Sequence, residues 1–152
     1  MAQTARELMT TEVVTVTPDT SVKDAAKLMS EKEVGALPVV DADGKLVGIV
    51  TEGDLIMQDV KVHFPSYISL LDGFIYLESF SRFEQELKKA VAATVGDVMT
   101  SPAVTAAPDT DVEALATLMV EKHVSRVPIV EGNRLVGIAS KGDIVRSIGR
   151  GD

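Results

Sequence analysis

Two short stretches carry the residues best suited to chemistry. Gly48-Ile49-Val50-Thr51-Glu52-Gly53-Asp54 recurs as Gly137-Ile138-Ala139-Ser140-Lys141-Gly142-Asp143. Each joins a glycine at a strand end to a hydroxyl residue and then, three positions on, an aspartate. The glycine leaves room for a ligand to approach the backbone. A hydroxyl at a helix start, beside unpaired N–H groups, can hold an anion. An aspartate one turn in is an acceptor-only group suited to a sugar diol. Thr51-x-x-Asp54 and Ser140-x-x-Asp143 equally fit a helix capping box with Asp in place of Glu. The two readings are compatible, because a capped helix start is also preorganised.

The surroundings of each motif extend the candidate sites. Gly35-Ala36-Leu37-Pro38 and Ser125-Arg126-Val127-Pro128 lead into strands. Apolar side chains and free backbone groups there could sandwich a flat base. Thr15 and Thr105 could hydrogen-bond to its edge.

The elements that position these residues repeat as well. Met9-Thr10 matches Met99-Thr100, and Pro18-Asp19-Thr20 matches Pro108-Asp109-Thr110. The register continues through Leu28-Met29/Leu118-Met119 to Pro38/Pro128. One residue is then lost where Asp41-Ala42-Asp43-Gly44 becomes Glu131-Gly132-Asn133, in a turn, where length changes are tolerated. Within a unit, the alternation over 13–16 predicts a short strand. Thr20 or Ser21 is the expected N-cap of a helix running to about Lys32. Runs 37–40 and 45–50, joined by an Asp-Gly turn, predict a hairpin. Thr51 opens a last helix through Leu55 and Ile56. Met29 and Met119, at helical spacing, belong to the core. The fold class is therefore α/β (α+β): two β-α-β-β-α repeats whose small sheets pack in a pseudo-twofold pair. The expected organisation is repeat 1 over 4–56, a helical insert over 57–93 and repeat 2 over 94–148.

The insert holds all four Phe and both Tyr. Ser81-x-x-Glu84 fits a capping box, with Phe83, Leu87, Ala90 and Val91 on one helix face. A second helical stretch covers 66–77, broken by Gly73. Such an aromatic cluster either covers the module's own edge or forms a dimer or partner face.

Composition bounds the function. The chain has 152 residues, 45% hydrophobic and only 4% aromatic, so an aliphatic core is expected. There is no Cys, which excludes disulfides, thiolate catalysis and cysteine-ligated metals. His63 and His123 are the only histidines and have no ligand spacing, so no metal site is expected. Asp41 and Asp43 read as turn residues. A net charge of −8 argues against nucleic-acid binding. Residues 1–7 lack an apolar signal-peptide region, and the apolar run 68–77 is too short to span a bilayer. A cytoplasmic protein without a membrane segment is expected. No nucleophile–base pair, metal cluster or carboxylate dyad stands out, so no enzyme activity and no catalytic cofactor are expected.

Taken in order, the Met-Thr opening, the Pro-Asp-Thr helix start, the Val-Pro-Ile-Val-type strand and the Gly-x-x-[Thr/Ser]-x-x-Asp signature resemble a tandem pair of cystathionine-β-synthase (CBS) domains, a Bateman module. The resemblance covers 4–55 and 94–148. It implies a regulatory module for adenosine-containing ligands such as AMP, ADP, ATP or S-adenosylmethionine. The resemblance assigns Asp54 and Asp143 to the ribose hydroxyls and Thr51 and Ser140 to ribose or phosphate. It assigns the residues before Pro38 and Pro128 to the base slot. It also implies a homodimer. With no catalytic domain expected, the output would act in trans on an unidentified protein partner. The alternative is a dimeric scaffold with vestigial ligand sites whose aromatic insert binds a partner.

The copies differ in charge. Arg126 and Lys141 supply charge-assisted donors in the second repeat, where the first has Ala36 and Glu52. A phosphorylated ligand is therefore expected to prefer the second-repeat site.

Overall fold

The computed structural model describes residues 3–63 and 93–150, with side chains described to Gln58 in the first stretch. The first stretch forms α1 (Ala5–Leu8), α2 (Val22–Lys32), β1 (Ala36–Val40), β2 (Leu46–Thr51) and α3 (Glu52–His63). The second forms α4 (Val95–Val98), α5 (Val112–Lys122), β3 (Arg126–Glu131), β4 (Arg134–Ser140) and α6 (Lys141–Gly149).

Local sequence explains these boundaries. Ser21 caps α2 by accepting from Asp24 N at 3.0 Å, and Asp111 caps α5 by accepting from Ala114 N at 2.7 Å. Ala25 and Met29 on α2 and Leu115 and Met119 on α5 bury one face of each helix, as their spacing predicts. Both helices end on a residue in the left-handed region, Glu33 (φ 53°) and His123 (φ 55°). The next amide, of Val34 or Val124, then donates back to the carbonyl of Met29 or Met119 at 3.0 Å. The first hairpin turns on Asp41, whose Oδ1 accepts from the amides of Asp43 and Lys45. Gly44 supplies the positive φ of that turn, and Gly132 does so in the shorter second turn.

The mixed helix–strand architecture with two small antiparallel sheets is as expected, β1 pairing β2 and β3 pairing β4. Two details differ. The strand expected over 13–16 is only a one-residue parallel bridge, Val16 to Val39, repeated as Ala106 to Ile129. Pro18 and Pro108 follow within two residues and cannot donate to a ladder, which stops the pairing. The helix after β2 runs past Ile56 to His63. The helices expected around 66–77 and 81–91, and the aromatic cluster, lie outside the described residues.

The halves also exchange their opening segments. α1 docks on the second half: Ala5 N donates to Thr110 O at 2.7 Å and Arg6 N to Pro108 O at 3.0 Å. α4 docks on the first: Val95 N donates to Thr20 O and Gly96 N to Pro18 O, both at 2.8 Å. Buried cores follow the exchange. Ala5 and Leu8 pack with Leu115, Met119, Val127, Ile129, Ala139 and Ile144. Val95 packs with Val16, Ala25, Met29, Leu37, Val39 and Val50. Each half thus completes the other's core. The sheets meet at a Lys45–Arg134 bridge.

Candidate ligand-binding site

Each repeated motif starts on the second strand of a hairpin and ends one turn into the next helix. Pairing sets Thr51 opposite Ala36 and Ser140 opposite Arg126. Glu52 N donates to Gly35 O at 3.0 Å and Lys141 N to Ser125 O at 2.9 Å. The fold therefore gathers Gly35, Ala36, Thr51 and Asp54 at one place, and Ser125, Arg126, Ser140, Lys141 and Asp143 at another. Leu37, Pro38, Val127 and Pro128 are fully buried, so they back these sites from the cores. Thr15 and Thr105 are exposed, one residue before the bridging Val16 and Ala106.

Both hydroxyl–aspartate pairs form capping boxes. Thr51 N donates to Asp54 Oδ2 at 2.9 Å while Asp54 N donates to Thr51 Oγ1 at 3.3 Å. Ser140 N donates to Asp143 Oδ2 at 2.8 Å while Asp143 N donates to Ser140 Oγ at 3.2 Å. Each box consumes one carboxylate oxygen and fixes the other in place. The second oxygens differ. Asp143 Oδ1 accepts from the Arg146 guanidinium. Asp54 Oδ1 has no hydrogen-bond partner among the described residues.

The motif glycines have a different role from the one their spacing implies. A Cβ on Gly48 would lie 2.8 Å from both Met99 Sδ and Thr100 O. A Cβ on Gly137 would lie 2.8 Å from Met9 Cγ and 3.0 Å from Thr10 O. Thr100 and Ile49 exchange backbone bonds at 2.9 and 3.0 Å, and Thr10 and Ile138 do the same. The glycines therefore admit the Met-Thr segment of the opposite half. They do not open the backbone to a ligand.

Arg126 does not stay within its own half. Its guanidinium lies against Gly35, beside Glu52. The charge expected for the second site thus borders the first as well. Lys141 is exposed. Sequence reasoning missed Arg146, although Met57 occupies the matching place in the first repeat and the difference is readable there. It also missed Met9 and Met99 as partners of the glycines, because spacing along a chain does not report contacts between repeats.

Among the described residues there is no His, Cys, Asp or Glu group able to hold a metal, and no helix is long and apolar enough to cross a membrane. A shallow groove along α5, between Asp111 and Glu121, contains none of the motif residues.

Two half-modules with exchanged openings, each ending in a capped hydroxyl–aspartate helix start, define a pseudo-twofold tandem-repeat fold. The family model of the CBS domain matches residues 5–61 and 95–150, and the chain belongs to that family. An uncharacterised protein of Methanocaldococcus jannaschii is 32% identical over 146 residues, spanning 89% of this chain and 85% of that protein. The chloroplastic CBS domain-containing protein CBSX2 of Arabidopsis thaliana is 33% identical over 135 residues, of which this chain spans 57% of the length. The crystal structure of CBSX2 in complex with AMP superposes with a TM-score of 0.76 at 30% identity, covering 97% of each chain. The CBS domain pair of protein MJ0100, in complex with 5′-methylthioadenosine and S-adenosyl-L-methionine, gives a TM-score of 0.74 at 25% identity over 100% of both chains.

Proposed function

We propose that this protein is a non-enzymatic regulatory module that binds adenosine-containing ligands (AMP, ADP, ATP or S-adenosylmethionine) in the cleft between its repeats and signals in trans to a partner protein. The observation that carries this reading is the pair of capping boxes, each presenting a fixed aspartate beside a helix N-terminus. The adenosyl ligands bound by the CBSX2 and MJ0100 structures support it.

In this reading Asp54 and Asp143 take the ribose hydroxyls and Thr51 and Ser140 take ribose or phosphate. The backbone around Gly35, Ala36, Ser125 and Arg126 borders the base, with Leu37, Pro38, Val127 and Pro128 behind it. Thr15 and Thr105 reach the base edge. Arg126 serves phosphate at either site, and Lys141 serves the second. The protein acts in the cytoplasm as a homodimer, without nucleic acid or membrane. Ile56 on α3 and Val145 on α6 occupy matching positions and are 61% and 65% exposed, an apolar pair suited to covering by a second copy.

Thermal melting with each adenosyl ligand tests the reading. A ligand that binds only the folded state, at 100 times its Kd, adds about 2.7 kcal/mol of stability. Absence of any shift with all four ligands would favour the scaffold alternative. Light scattering of wild type and of the Ile56→Glu, Val145→Glu double variant tests the dimer.

A further inference from the structure

We infer that Arg146 makes the second-repeat site require an anionic ligand, while the first-repeat site accepts a neutral one. This rests on the adenosyl-ligand reading above and adds a specificity residue to it.

The two helix starts share the hydroxyl–aspartate box and its glycine, and differ in what lies over that box. A Cβ on Gly53 would meet only Thr51 Oγ1, at 3.6 Å. A Cβ on Gly142 would meet Ser140 Oγ and, in addition, Arg146 Nη1, both at 3.5 Å. The other guanidinium nitrogen of Arg146 donates to Asp143 Oδ1. The guanidinium therefore lies over the helix start and occupies the carboxylate oxygen that the capping box leaves over. The first repeat has Met57 at this place, exposed and uncharged.

A ribose diol needs that oxygen as its acceptor, so it must displace Arg146. Asp143 is buried, at 8% exposure, whereas the Arg146 side chain is 62% exposed. The arginine, not the aspartate, is thus the partner that can move. A ligand carrying phosphate or carboxylate gives the displaced guanidinium a new acceptor, and the exchange is nearly balanced. A neutral adenosyl ligand gives none, and the lost ion pair weakens its binding. Among the described residues no guanidinium holds Asp54 in this way.

The test is calorimetry of the full chain with AMP and with adenosine. In an Asp54→Ala background, which leaves the second site to be read, adding Arg146→Met should lower the ratio of AMP to adenosine affinity about tenfold, the worth of one charge-assisted hydrogen bond. In an Asp143→Ala background, adding Met57→Arg should raise the same ratio at the first site by a similar factor. An unchanged ratio in either pair overturns the inference. Failure of wild type to bind either ligand overturns the underlying site reading, and is seen before any change at residue 146. A purely structural role for Arg146 would weaken both ligands equally, and that outcome also overturns it.

Discussion

Arg126 of the second repeat and Glu52 of the first converge on Gly35: a Cβ there would lie 2.7 Å from Arg126 Cζ and 2.6 Å from Glu52 Oε1. The residues proposed for the two sites therefore share one electrostatic environment at Gly35. The Glu52 carboxylate would repel a phosphate brought to that guanidinium. Glu52→Gln should tighten AMP binding about threefold at low salt, since an exposed charge–charge interaction contributes at most about 1 kcal/mol. The gain should fade at 1 M salt, where the screening length falls to about 3 Å. Titrations at two salt concentrations check this. Equal gains at both would contradict it.

Gly48→Ala and Gly137→Ala should each destabilise the fold by about 1–3 kcal/mol, because the added methyl meets backbone oxygen as well as a methionine. Chemical denaturation measures the loss. Unperturbed stability would show that the Met-Thr segments shift at little cost.

Leu8→Ala removes a side chain buried in the second core, so a loss of about 2–4 kcal/mol is expected. Hydrogen exchange should show lost protection first in β3 and β4, although Leu8 precedes β1 in the chain. Protection lost first from β1 and β2 would contradict the exchanged packing.

Glu33 and His123 hold positive φ without being glycine. Glu33→Gly and His123→Gly should each raise stability by about 0.5–1 kcal/mol by relieving that backbone conformation. Melting curves of the two variants decide it, and a lower melting temperature for both would refute the argument.

Helices, hairpins and turns were legible because their causes are local. Ser21, Asp41 and Gly44 act within a few residues of themselves, and the spacing of Ala25 and Met29 marks a buried face. The 13–16 strand was not legible, since alternation there reports one buried valine and not a ladder. At the candidate site, the hydroxyl–aspartate pairs were readable as helix caps, because a capping box is written within four residues. The glycines were misread because the Met-Thr segments that fill them lie in the other repeat. Arg146 was overlooked because an i to i+3 ion pair onto a capping aspartate looks, in sequence, like any arginine on a helix.

The exchanged openings bear on the order in which the chain can fold during synthesis. As residues emerge from the N-terminus, the first hairpin forms without Val95, the last piece of its core. α1 and Met9 meanwhile have nowhere to dock until β4 has been made. Neither half completes its core alone, so α1 must close onto the second half and α4 onto the first. Such long-range closure slows folding and leaves Ala5 and Leu8 uncovered until β3, β4 and α6 have been made.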